Sequence, residues 1–93
     1  MGDKEYVYVM QLNKVMKEKG KVGEDLMRVT GHTPANVSRI RQGKIRSLRF
    51  TTLFAICDEL DCRPGDILDR IPACEADDLE KGVFIINLDN DDQ

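Results

Sequence analysis

A mostly α-helical domain of five short helices, with one short β-strand before them and another after, is what this sequence predicts. Three observations carry the prediction. Apolar residues recur at spacings of three and four through the middle of the chain. Glycine, threonine and proline punctuate these runs where helices should end and begin. The two most β-prone stretches, EYVYVM and VFIINL, lie towards the two ends. Ninety-three residues suffice for one small domain. The expected layout is an N-terminal strand segment over 1–10, a helical domain over 11–72, and an acidic connector, strand and tail over 73–93.

The chain is organised around residues 26–44, LMRVTGHTPANVSRIRQGK, which read as two helices joined by a tight turn. Leu26 and Val29 share a face of the first. Gly31 ends that helix in the left-handed conformation. Thr33 supplies a hydroxyl N-cap, and Pro34 takes the first helical position, where its missing N–H costs nothing. Val37 and Ile40 bury one side of the second helix, Asn36, Ser38, Arg39 and Arg41 lie on the other, and Gly43 stops it. One apolar face, one face of amide and guanidinium, and a tight turn in front describe the reading unit of a helix-turn-helix.

The remaining elements follow in order. A strand covers 5–10, rich in β-formers. Helix 1 spans about 11–19 with Leu12, Val15 and Met16 inward, and Gly20 ends it. Helix 2 is 23–30 and helix 3 is 34–42. In the loop 43–49, Ile45 and Leu48 are expected to tuck inward while Lys44, Arg46 and Arg49 face out. Helix 4 covers 50–60 with Leu53, Ile56, Cys57 and Leu60 inward. Pro64 opens helix 5, which carries Ile67, Leu68 and Ile71 until Pro72 ends it. Residues 73–82 form the acidic connector, 83–88 a second strand, and 89–93 a frayed end. A strand as apolar as 83–88 should be covered or paired. Its expected partner is 6–10, in the same chain or in another subunit, in a small sheet that a second chain is expected to complete.

The net charge of −3 conceals an asymmetry. Residues 26–57 hold six basic side chains (Arg28, Arg39, Arg41, Lys44, Arg46, Arg49) and no acid, while 58–93 hold twelve acids against three bases. A cationic segment on an acidic body suits phosphate attraction, which acts over a Debye length of roughly 8 Å. Three cysteines (Cys57, Cys62, Cys74) without a C-x-x-C motif or a histidine pair argue against a disulfide framework and a zinc site. They fit a reducing compartment. No apolar run approaches the length of a membrane span, and no signal peptide is expected. His32 has no nucleophile paired with it, the carboxylates show no catalytic spacing, and no phosphate loop is present, so neither an enzyme nor a cofactor is expected.

Leu26, Gly31, Thr33, the run Val37, Ser38, Arg39, Ile40, and the pair Gly43, Lys44 resemble the bacterial and phage XRE family, the fold of lambda repressor and Cro. The resemblance continues through Leu53, Ile56, Cys57, Leu60, Cys62, Pro64, Gly65, Asp66, Ile67 and Leu68, and so covers about 10–71. It implies a lambda-repressor-like domain in a cytoplasmic, bacterial or phage-encoded protein that binds duplex DNA as a homodimer. In that family bases are read mainly from positions matching Pro34, Ala35 and Arg39. Pro34 and Ala35 cannot donate side-chain hydrogen bonds, which departs from the polar residues frequent there. The base-reading candidates are therefore Ala35, Asn36, Ser38 and Arg39. Gly23, Thr33, Arg41, Lys44, Arg46 and Arg49 are the phosphate candidates. The family often begins helix 2 with a hydroxyl cap and a glutamine; Val22 and Gly23 stand there instead. The expected dimer contact runs through Val83, Phe84, Ile85, Ile86 and Leu88 with Tyr6, Val7, Tyr8 and Val9. The leading expectation is a DNA-binding transcriptional regulator. The alternative is a protein-interaction module on the same fold, antitoxin-like or a phage accessory protein, with weak DNA binding.

Overall fold

Why each helix stops where it does is visible in the backbone of the computed structural model, which describes residues 5–86 and Leu88. In order come β1 (Tyr6–Met10), α1 (Leu12–Lys19), α2 (Gly23–Thr30), α3 (Pro34–Arg41), α4 (Phe50–Leu60), the single turn α5 (Pro64–Ile67), β2 (Leu68–Pro72), a 3₁₀ helix (Ala73–Asp78) and β3 (Phe84–Ile85). The fold is therefore mostly helical with β-strands towards its ends. The core gathers Leu12, Val15 and Met16 of α1, Leu26 of α2, Val37 and Ile40 of α3, Leu53, Ile56, Cys57 and Leu60 of α4, and Ile67 of α5. Ile45 and Leu48 pack against it from the α3–α4 loop, half-buried. The spacing of three and four along each helix is what brings these side chains to one side.

Helix 5 is shorter than its apolar spacing predicts. The Leu68 N–H closes one turn on the Pro64 carbonyl, and Leu68 itself is extended, at φ −120° and ψ 131°. The five residues that begin with Leu68 form β2 rather than helix, antiparallel to β1 in a register that runs from Met10 opposite Leu68 to Tyr6 opposite Pro72. Ile67, Leu68 and Ile71 fit a helix as well as a strand end. The unpaired edge of β1 decides between them, because it offers backbone hydrogen bonds that a second helical turn would leave unmade. Pro72 falls at the strand's end, where a missing N–H is tolerated.

β3 pairs with the other edge of β1, Val9 opposite Ile85 and Met10 opposite Phe84. The sheet order is β2-β1-β3. The expected partnership between the two β-prone segments is present, within one chain. The third strand, however, is this chain's own β2 and not a second chain's. β3 is also only two residues long. Asn87 of the expected 83–88 strand and the acidic end 89–93 lie outside the described residues. Val9 and Met10 sink into the molecule at 1% exposure each, while Tyr6 and Tyr8, further out on β1, remain exposed. The Arg70 guanidinium lies 3.7 Å from the centre of the Tyr6 ring, a cation–π contact that pins β2 to β1 at their far end.

Gly43 joins the sheet to the helices. Its φ is 73°, and a Cβ there would lie 3.3 Å from Ile86 Cγ1, 3.4 Å from Met10 Cβ and 3.5 Å from the Ile85 carbonyl oxygen. The end of α3 is thus pressed against β1 and the residues around β3. Gly43→Ala should combine the left-handed penalty of about 1–2 kcal/mol with this crowding. A thermal melt is expected to show the loss as a lowered Tm; an unchanged Tm would mean that the packing here is slack.

Candidate nucleic-acid interface

The turn before α3 is built from three local devices. Gly31, at φ 78°, sends its N–H to the Met27 carbonyl at 2.9 Å and closes α2. Thr30 Oγ1 donates to the Leu26 carbonyl at 2.6 Å and accepts the His32 N–H at 3.2 Å, bracing the turn from inside. Thr33 Oγ1 accepts the Asn36 N–H at 3.2 Å, and Pro34 occupies the first helical position. A cap of this kind is worth roughly 1 kcal/mol.

Val37 and Ile40 are 3% and 5% exposed and fix the rotation of α3. At about 100° per residue, Ala35, Ser38 and Arg39 then point most directly away from the core, and Asn36 and Arg41 fall on opposite flanks. Asn36 borders a groove shared with His32, Ser47 and Arg49, between α3 and the start of α4. Arg41 turns the other way. Its Nε donates to Asn13 Oδ1 on α1, and its Nη1 would lie 3.2 Å from a Cβ on Gly23. Its guanidinium ties α1, α2 and α3 together at the inner flank of the helix. Gln42 joins the surface although it is not among the residues expected there. It caps α3 and its Nε2 donates to Ser38 Oγ at 3.1 Å, one turn along the outward face. Its spacing of four from Ser38 and seven from Ala35 is the signal in the sequence that points to it.

Arg39 Nη2 donates to the Lys44 carbonyl at 3.3 Å, which holds the guanidinium towards the α3–α4 loop. Lys44, Arg46 and Arg49 are exposed in that loop, while Ile45 and Leu48 between them anchor it. Arg49 is the N-cap of α4 but makes no side-chain capping bond, and the first turn of α4 carries no acid. Its N-terminus thus keeps its partial positive charge beside a guanidinium, an arrangement that favours an anion.

The N-terminus of α2 is different. Glu24 and Asp25 occupy its first turn, and Asp25 Oδ2 accepts the Val22 N–H at 2.9 Å. That bond, with Arg28 and Lys21 nearby, holds the Asp25 carboxyl below its ordinary pKa. Gly23 therefore has two carboxylate residues directly after it and the Arg41 guanidinium beside it. Arg28 pairs with Asp25 at 3.3 Å and with Glu59 of α4 at 3.2 Å, and Lys21 reaches Glu59 at 3.0 Å. Of the six cations in 26–57, Arg28 is matched by the acidic body and Arg41 is turned inward. Arg39, Lys44, Arg46 and Arg49 are exposed on α3, on the loop after it and at the start of α4.

The cysteines stand apart from this surface and are all free thiols. Cys57 is buried, Cys62 half-buried and Cys74 exposed. Burial pushes the Cys57 thiol up, and that of Cys62 to about 11. Both are protonated at neutral pH. Their contribution to stability is full below the ordinary thiol pKa and is lost as the pH climbs through the raised folded-state values. Among the described residues, no helix is long and apolar enough to cross a membrane.

Comparison with known proteins agrees with this geometry. The family described as Cro/C1-type HTH DNA-binding domain matches residues 11–73. A curated relative from Bacillus subtilis strain 168, described as the uncharacterized HTH-type transcriptional regulator YozG, is 47% identical over 45 residues, which is 48% of this chain and 54% of the relative. The match thus spans about half the length of each. No solved structure matches.

Proposed function

Given that the chain belongs to the Cro/C1-type helix-turn-helix DNA-binding domains, we propose that it is a transcriptional regulator that binds duplex DNA with α3 in the major groove. One observation carries this reading above the others. Arg39 of α3 bonds the Lys44 carbonyl, Asn36 and Arg49 line one groove, Lys44, Arg46 and Arg49 are exposed, and residues 26–57 contain no acid. In this reading Arg39 forks onto guanine O6 and N7, Ala35 touches a thymine methyl, and Ser38 with Gln42 offers hydroxyl and amide to neighbouring bases. Asn36 reaches an adenine or a phosphate from the flank. Lys44, Arg46, Arg49 and the N-terminus of α4 hold phosphates and set the register. Thr33 shapes the approach by capping α3. Gly23 and Arg41 play the weaker part, since two carboxylate residues follow Gly23 and Arg41 braces α1.

Fluorescence anisotropy with a labelled duplex tests this, and Arg39 supplies the sharper arm. Arg39→Ala is expected to cost about 1–3 kcal/mol on the preferred site and to relax the preference at one base pair. An equal loss on every duplex would make Arg39 a phosphate ligand instead.

The reading includes a homodimer. Two copies related by a two-fold axis present two α3 helices about 34 Å apart, the spacing of successive major grooves on one side of the duplex. Of the residues expected to make the dimer contact, Val9 is buried, and Val7, Val83, Phe84 and Ile86 are half-buried within the chain. Tyr6, Tyr8, Ile85 and Leu88 remain exposed. The acidic first turn of α2 favours the second reading, a protein-interaction module with weak DNA affinity, because it repels a phosphate where the related domains often clamp one. Undetectable duplex binding at low salt would move the assignment to that reading.

A further inference from the structure

A second group of cations lies on the other flank of α3. Lys17 in the last turn of α1, Lys21 just after it, Arg41 at the end of α3 and Lys81 line one open groove of about 410 Å³, with Asn13 and Phe84 beside them. Among the described residues no acid lines it. Lys21 is already paired with Glu59 at 3.0 Å. Arg41 is held by Asn13, a neutral amide that leaves its charge uncancelled. Lys17 and Lys81 are exposed and make no ion pair among the described residues.

Lys81 is fixed by the turn it stands on. The Val83 N–H donates to the Glu80 carbonyl at 3.2 Å. Gly82, at φ 91°, presses so closely on α1 that a Cβ there would lie 2.9 Å from the Lys14 backbone nitrogen. Glu80, the acid beside Lys81, is drawn to Lys14 at 3.3 Å and lines a different hollow, with Val9 and Ile71. The turn therefore presents its cation to the groove and its anion elsewhere. It also lies beyond residues 11–73, the span of the family match.

A helix seated in the major groove of a duplex has a sugar–phosphate backbone on each side, because that groove is only about 12 Å wide. Arg49 serves the Asn36 flank of α3, where the two residues line one groove. Arg41 lies on the opposite flank, and there the first turn of α2 is acidic and offers a phosphate nothing. We propose that the groove of Lys17, Arg41 and Lys81 receives the phosphates of the second strand, with the turn at 80–82 supplying a cation from outside the helical domain. This placement rests on the reading of α3 as the helix in the major groove and names what holds the backbone on its far side. Lys17 and Lys81 are the ligands that reach out, each a point charge on a flexible stem. Arg41, tied to Asn13, lends its charge from the wall of the groove.

A salt titration of the full chain on a labelled mixed-sequence duplex of about two helical turns, read by fluorescence anisotropy, tests the assignment. The double substitution Lys17→Ala, Lys81→Ala is expected to lower the slope of log affinity against log salt by about 1.8, two phosphate contacts at roughly 0.9 each. Between about 50 and 200 mM salt, the affinity of the parent should then fall roughly 12-fold further than that of the variant. Both side chains are exposed, so Tm should not change. Lys17→Arg, Lys81→Arg should keep the parent slope, because both charges remain. Lys19→Ala controls for net charge. Lys19 lies about 200° round α1 from Lys17, and its Nζ donates to the Asp61 carbonyl at 3.4 Å, so its loss should leave the slope unchanged. Parallel lines for the parent and the double alanine variant would overturn the groove while leaving α3 in its assigned place. So would a slope that Lys19→Ala flattens as much as Lys81→Ala alone. A parent that binds no duplex even at low salt would overturn this placement together with the reading it rests on.

Discussion

Replacing Lys44, Arg46 and Arg49 together by alanine is expected to weaken binding to every duplex alike and to flatten its dependence on salt. Each neutralised phosphate contributes roughly 0.9 to the slope of log affinity against log salt, so three fewer lower it by about 2.7. Between about 50 and 200 mM salt, the affinity of the parent should then fall roughly 40-fold further than that of the triple variant. The physical basis is counterion release, which counts neutralised phosphates and ignores sequence. The three residues are exposed in a loop whose anchors are Ile45 and Leu48, so the substitutions should leave the fold intact. A salt titration of the two proteins side by side checks it. Parallel lines for parent and variant would place the phosphate surface elsewhere.

Leu26→Ala is expected to be the most damaging single truncation in the motif. Leu26 is 1% exposed and lies in the core cluster where α2, α3 and α4 meet. Removing it deletes buried methyl groups and leaves a cavity between helices that cannot fully collapse, which costs about 2–5 kcal/mol. For a domain of this size such a loss lowers Tm by about 10 °C or more. Leu26→Met conserves volume and should cost less than about 1.5 kcal/mol. Calorimetry on the three proteins decides it. Equal melting of Leu26→Ala and the parent would show that the rotation of α2 and α3 is not held by this side chain.

The parts of the fold that the sequence made readable are those fixed by local rules. Helices α1 to α4 carry apolar residues at spacings of three and four between clear stops, and Gly31, Thr33 and Pro34 each do locally what their chemistry predicts. The second half of the expected helix 5 failed because Ile67, Leu68 and Ile71 satisfy two periodicities. The choice was made by the edge of β1, about sixty residues earlier in the chain. The candidate surface followed the same division. Exposure of Lys44, Arg46 and Arg49 could be read from the apolar residues between them. The inward turn of Arg41 depends on Asn13, and the pairing of Arg28 depends on Glu59. Both are distant in sequence, and no spacing rule announces them. The inward turn of Leu53, Ile56, Cys57 and Leu60 on α4 was legible from spacing, and the exposure of Phe50 and Phe54 is its consequence.

Selection of bound sequences from a random duplex pool by the full-length protein tests the central claim most directly. If α3 reads base edges in the major groove, the recovered duplexes will share a short motif. Two copies on one duplex will repeat it in inverted orientation about 10 base pairs apart, and one guanine position will lose its enrichment when the selection is repeated with Arg39→Ala. Recovery of a pool no different in sequence from the input, at salt low enough for binding, would contradict the assignment of α3 as a reading helix.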